Sequence, residues 1–92
     1  MGYKLLIQKE ALVELQEAFD WYEEQKIDLG YEFLNEVEVC YRNLSDYPER
    51  YSYINERYRR IKTDRFPYIL VFEIEGNVVI VNTIRHIKRK PL

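Results

Sequence analysis

Residues 67–85 read PYILVFEIEGNVVIVNTIR. The stretch holds two nearly continuous runs of β-branched and aromatic residues, 67–75 and 78–85, on either side of Gly76-Asn77. Such runs are strands that lie centrally in a sheet or are covered on both faces. The Gly-Asn pair between them is a turn signal, so the two runs form a hairpin. Upstream, residues 57–62 read as a further strand rich in arginine. Residues 51–54 read as a short, weak one. Pro48 separates these strands from what precedes, because a proline pushes the residue before it out of the α region.

Before Pro48 the apolar period is helical. Leu12, Leu15, Phe19 and Tyr22, with Ala11 and Ala18 beside them, make one stripe, and Glu10, Glu14, Glu17, Asp20, Glu23 and Glu24 take the other side. Phe33, Val37, Cys40, Tyr41 and Leu44 make a second stripe. Residues 26–30 interrupt the pattern, and Asp28 is the expected N-cap of the second helix. Two amphipathic helices joined so closely form an antiparallel hairpin. Residues 3–7 alternate apolar and polar and read as a strand. The order is βααββββ. The fold class is α+β, a two-helix hairpin packed on a mostly antiparallel sheet.

A chain of 92 residues is one domain, here 1–92, and at 47% apolar residues it can fill a two-layer core without staples. Cys40 is the sole cysteine, which excludes an internal disulfide and suits a reducing cytoplasm. No signal peptide and no membrane-length apolar run is read. One His and one Cys exclude a structural zinc site. No glycine-rich phosphate loop and no Ser/His/Asp set appears. No metal and no cofactor is expected.

The charges are sorted by position. Residues 1–49 carry 4 Lys/Arg against 12 Asp/Glu, whereas residues 50–92 carry 10 against 4. Asymmetry of this kind suits a polyanionic partner for one face. The hairpin places Pro67 opposite Arg85, and an antiparallel neighbour places Lys62 beside Pro67. Three strand ends then share one edge. That edge gathers Arg60, Lys62, Arg65, Arg85 and His86, with Lys88, Arg89 and Lys90 just beyond, while Arg59 faces the other way. Cations around one histidine suit a phosphate backbone, and a histidine with arginines has the groups for metal-free RNA cleavage. Basic strand ends also serve as edge protection. The cluster is specific for facing an anion and weak as a sign of catalysis.

Three segments, LVELQEAFDWYEEQKIDLGYEFLNEVE (12–38), YPERY (47–51) and RRIKTDRFPYILVFEIEGNVVIVNTIRHIKRKP (59–91), resemble the RelE/ParE superfamily of toxins from bacterial type II toxin–antitoxin pairs, which includes proteins described as plasmid stabilisation proteins. The resemblance implies a βααββββ toxin fold, a cognate antitoxin with a segment that folds on the toxin, and either a homodimer or a toxin–antitoxin hetero-oligomer. It implies two activities. ParE-like members inhibit DNA gyrase. RelE-like members cleave messenger RNA on the ribosome with basic third-strand residues, matched here by Arg60 and Lys62, and a late arginine, matched by Arg89. His86 takes the part of the histidine that other ribosome-dependent members use. The fourth-strand arginine falls at Ile69, and no aromatic residue follows Arg89. The preferred expectation is therefore a gyrase inhibitor. The alternative is an endoribonuclease using His86, Arg60, Lys62 and Arg89, and the third is an inactive relative that binds only its antitoxin.

Overall fold

The computed structural model describes residues 2–88. Strand β1 (Lys4–Ile7) leads into helix α1 (Lys9–Gln25) and helix α2 (Leu29–Asp46); a single 3-10 turn (Pro48–Arg50) follows, then β2 (Arg59–Lys62), β3 (Tyr68–Glu75) and β4 (Val78–His86). The sheet order is β1-β4-β3-β2, with β1 parallel to β4 and the other pairs antiparallel. The expected α+β class and helical hairpin are therefore present. The expected strand at 51–54 is not. Only one isolated bridge, Tyr53 to Arg59, forms there. The chain instead turns back at Asn55, whose Oδ1 accepts the backbone N–H groups of Arg57 and Tyr58 at 2.8 Å each. A side chain that satisfies two backbone donors in a turn competes with the strand ladder.

Helix α2 buries Phe33, Val37, Cys40 and Leu44, as its spacing predicts. Helix α1 buries most of its expected stripe but not Leu12. Ala11, Ala18 and Tyr22 are buried, while Leu12 is 50% exposed. Small alanines let the helix approach the sheet, and bulkier residues flank the contact. Tyr22, Phe33, Phe66 and Tyr68 then form one aromatic cluster, with ring centroids 4.8 Å apart for Tyr22–Phe66 and 4.9 Å for Phe33–Tyr68. Edge-to-face pairs at this spacing add to the area they bury.

Asp28 does not cap α2 with its side chain. It sits in the left-handed region at φ 74° and makes no cap hydrogen bond. Glu23 of α1 does this work, accepting the Gly30 N–H at 2.8 Å. Gly30 is needed there because a Cβ would lie 2.8 Å from the Phe19 carbonyl oxygen and 2.7 Å from its ring. The helices cross at a point with no room for a methyl group.

The β3–β4 hairpin closes with Glu75 paired to Val78, and Gly76 at φ 60° supplies the only positive φ in the turn, as in type II′. The register then slips: Phe72 pairs with Val81, but Val71 pairs with Thr83, leaving Asn82 as a bulge. Arg85 consequently lies opposite Ile69, and Lys62 also pairs with Ile69. The expected pairings of both residues with Pro67 are thus corrected by two residues.

Candidate functional site

The helices cover one face of the sheet, packing on Ile61, Tyr68, Leu70, Phe72, Val79, Val81 and Ile84. Side-chain alternation directs Arg60, Lys62, Ile69, Val71, Glu73 and Arg85 to the opposite, open face. Two cross-strand rows run over it, Lys62–Ile69–Arg85 and Arg60–Val71–Thr83. The predicted fourth-strand position, Ile69, thus sits between two cations.

The cations differ in what they can still bind. Arg60 is exposed; its backbone N–H donates to the Ser52 carbonyl at 3.3 Å, but its guanidinium has no hydrogen-bond or ion-pair partner among the described residues. The Lys62 ammonium is engaged by the loop after β2, donating to the carbonyls of Thr63 at 2.9 Å, Asp64 at 3.1 Å and Phe66 at 3.4 Å. Arg65 points to α2 instead, donating to Glu32 at 2.7 Å and Glu36 at 3.1 Å. Its guanidinium holds the Glu32 carboxyl below the ordinary range. Arg85 is half-buried, and its Nε lacks an acceptor.

His86 lies on the helix-covered side. Its ring meets Tyr68 edge-on at 5.3 Å, and its Nδ1 accepts the Lys88 backbone N–H at 3.0 Å. His86 and Lys88 share a recess of about 490 Å³ with Trp21, Tyr22, Pro67 and Tyr68. Arg89 and Lys90 lie outside the described residues. The common rim is therefore divided. Arg60, Lys62 and Arg85 share one face, His86 and Lys88 the other, and Arg65 serves as a clasp on α2. The bulge makes this division. If Asn82 were paired in the ladder instead of bulged, the turn's register would pair Arg85 with Tyr68 and bring His86 to the open face. Arg59 faces away from Arg60, as expected, donating to the carbonyls of Glu49 at 2.8 Å and Tyr51 at 3.0 Å.

Other polar residues of the site escaped sequence reading. Glu73 is 8% exposed within an apolar strand. Its two oxygens accept Arg57 Nε at 2.9 Å and Asn82 Nδ2 at 2.8 Å. These donors, Asn82 first, hold its carboxyl below the ordinary value. A glutamate inside VFEIE was the available signal. Glu14 replaces the β1 backbone where that strand ends: its Oε1 accepts the Thr83 hydroxyl at 2.6 Å and the Ile84 N–H at 2.9 Å. Nothing in the helical pattern marked Glu14 apart from its acidic neighbours.

Cys40 is not set up as a nucleophile. Burial pushes its thiol up to about 11. Among the described residues no group of three or more His, Cys, Asp or Glu side chains is placed to hold a metal ion, and no helix is long and apolar enough to cross a membrane.

A helical hairpin followed by strands that form one sheet is the fold that the resemblance to the RelE/ParE toxins implies. A chain from the solved structure titled "Chromosomal ParDE TA system from P. aeruginosa" superposes with a TM-score of 0.83 at 13% sequence identity, covering 95% of this chain and 98% of that one. The sequence profile described as "ParE toxin of type II toxin-antitoxin system, parDE" matches residues 5–91. The chain belongs to that family of toxins. None of the curated proteins matches it.

Proposed function

We propose that this protein is the growth-inhibiting half of a type II pair, held silent in the cytoplasm by a cognate antitoxin in a hetero-oligomer, and that its released form inhibits DNA gyrase without cutting RNA. The observation that carries this reading is the separation of His86 from Arg60, Lys62 and Arg85 by the thickness of the sheet. Metal-free RNA cleavage needs a base, an acid and a charge-stabilising group around one phosphodiester. Here the imidazole and the open-face guanidiniums cannot meet at one atom. The row that would hold the reacting phosphate has Ile69 at its centre, which offers no donor. A surface that recognises a protein has no such requirement.

The test uses purified protein in a gyrase supercoiling assay beside primer extension on actively translated messages. Inhibited supercoiling with uncut messages is the expected result. Ribosome-dependent cuts that disappear in His86→Ala would overturn the gyrase reading in favour of the nuclease. Induction without growth arrest would point to a relative that only binds its antitoxin.

A further inference from the structure

The sheet ends in two edge strands, β2 on one side and β1 on the other. The β2 edge is largely occupied by its own chain. Its Arg60 N–H donates to the Ser52 carbonyl at 3.3 Å, and its Lys62 carbonyl accepts the Cys40 thiol at 3.9 Å. The β1 edge differs. Lys4 and Gln8 turn their N–H groups inward, to the carbonyls of Asn77 at 2.8 Å and Val81 at 3.0 Å. Parallel pairing at that register turns the Leu6 N–H and C=O inward as well. Leu5 and Ile7 therefore present their N–H and C=O groups outward, and among the described residues neither has a partner there. Only Tyr3, one residue before the strand, is met on this side, by the Ser45 carbonyl at 2.9 Å. An unpaired edge is a template for a further strand.

The two open positions flank Leu6 symmetrically. A second β1 laid antiparallel about a two-fold axis at Leu6 sets Leu5 opposite the Ile7 of the other copy, and Ile7 opposite its Leu5. Each such pair exchanges both of its N–H···O=C bonds, so every outward group of the two edges is satisfied. Leu6 then meets Leu6 in the closer, non-hydrogen-bonded pair, and Lys4 meets Gln8 rather than a like charge. Leu6 is 52% exposed on the open face and pairs with Ile80 of β4. The two copies would continue one apolar row, Ile80–Leu6–Leu6–Ile80. The open-face cations stay apart from it, because Arg60 and Lys62 lie on β2 and Arg85 on the length of β4 beyond β1. A charged segment laid on this edge would find only Lys4 to answer it. A second copy repeats the same uncharged row.

We propose that β1 of the free toxin pairs with β1 of a second copy, antiparallel about Leu6, joining two sheets into one. The proposal does not rest on the gyrase reading. The strand is only four residues long, so the interface is at the small end of protein contacts and the dimer forms as concentration rises.

The test is sedimentation velocity of the purified toxin from micromolar to millimolar concentration. The average mass should rise toward twice that of the monomer. Leu6→Lys, verified as folded by its dispersed amide spectrum, sets like charges opposite one another and should stay monomeric. Over the same series, amide exchange at Leu5 and Ile7 should slow about tenfold in the parent and not in Leu6→Lys. Leu6→Cys should cross-link to a dimer with oxidised glutathione, whereas Val13→Cys, similarly exposed at 49% on α1, should not; the native Cys40 is buried and common to both. A constant monomer mass would overturn the proposal, as would a mass that still rises in Leu6→Lys or equal cross-linking of the two cysteine variants. Protection of Leu5 and Ile7 that appears only when antitoxin is added would assign the edge to the antitoxin and overturn the second copy.

Discussion

The two faces of this sheet do opposite work. On the helix-covered face Leu70, Phe72, Val79 and Val81 are completely buried, and aromatic rings interlock with both helices. On the open face polar side chains sit among the apolar Ile69 and Val71. There the Arg57–Glu73–Asn82 chain crosses three segments, and Arg60 and Arg85 have spare hydrogen-bonding capacity. Apolar packing without free polar groups fixes the fold, whereas unspent polar groups are what a partner can use. Apolar packing and spare hydrogen-bonding capacity thereby fall on different sides of the same three strands.

Substitutions should separate the faces in a graded way. Phe72→Ala removes a fully buried ring and should cost about 3–5 kcal/mol in urea denaturation, enough to unfold much of the population of a small domain. If the loss were under about 1 kcal/mol, the covered face would not be the source of stability. Gly30→Ala tests the helix crossing that holds this side together. The gain in helix propensity is about 1 kcal/mol, but a methyl group against the backbone of Phe19 should cost roughly 1–3 kcal/mol, and the steric term should win. A raised melting temperature would show that the helices can separate cheaply.

Glu73→Gln probes the open side, where an effect of about 1 kcal/mol is expected at neutral pH, since hydrogen bonds survive in weaker form and Arg57 is largely in water. The sign of the pH dependence follows from the depressed carboxyl. Ionised Glu73 contributes stability above its ordinary value of 4.5, and that contribution is lost as pH falls through the lower folded value. The variant should therefore lose less stability than the parent between neutral pH and about pH 3. Identical acid slopes would remove Glu73 from the account. Arg60→Ala should change stability by less than about 0.5 kcal/mol, yet weaken growth arrest on induction. Unaltered arrest would show that Arg60 does not face the target.

Much of this contrast was legible in the chain. The runs on either side of Gly76-Asn77 and the change of period before Pro48 gave class, order and hairpin. The α2 stripe was legible because Phe33, Val37, Cys40 and Leu44 repeat at helical spacing, although Tyr31 and Val39 lie exposed beside them. Within the α1 stripe only Leu12 was misplaced, because it outweighs Ala11 and Ala18 in hydrophobicity, while close packing favours the alanines. The weak strand at 51–54 lost to a turn because Asn55 offers its side chain to two backbone donors.

Local chemistry determined the elements: periodicity, β-branching, a turn glycine and a proline act within a few residues, so one dimension suffices to read them. The sorting of acid and base along the chain was fixed there too. Which side each cation faces was decided by pairing between strands. One unmatched residue, Asn82, slips the ladder and exchanges the sides of Arg85 and His86. A bulge leaves no periodic trace in sequence, because its stability comes from Glu73 on one neighbour and the Glu14 carboxylate accepting donors beyond it. Those contacts exist only after the chain has folded.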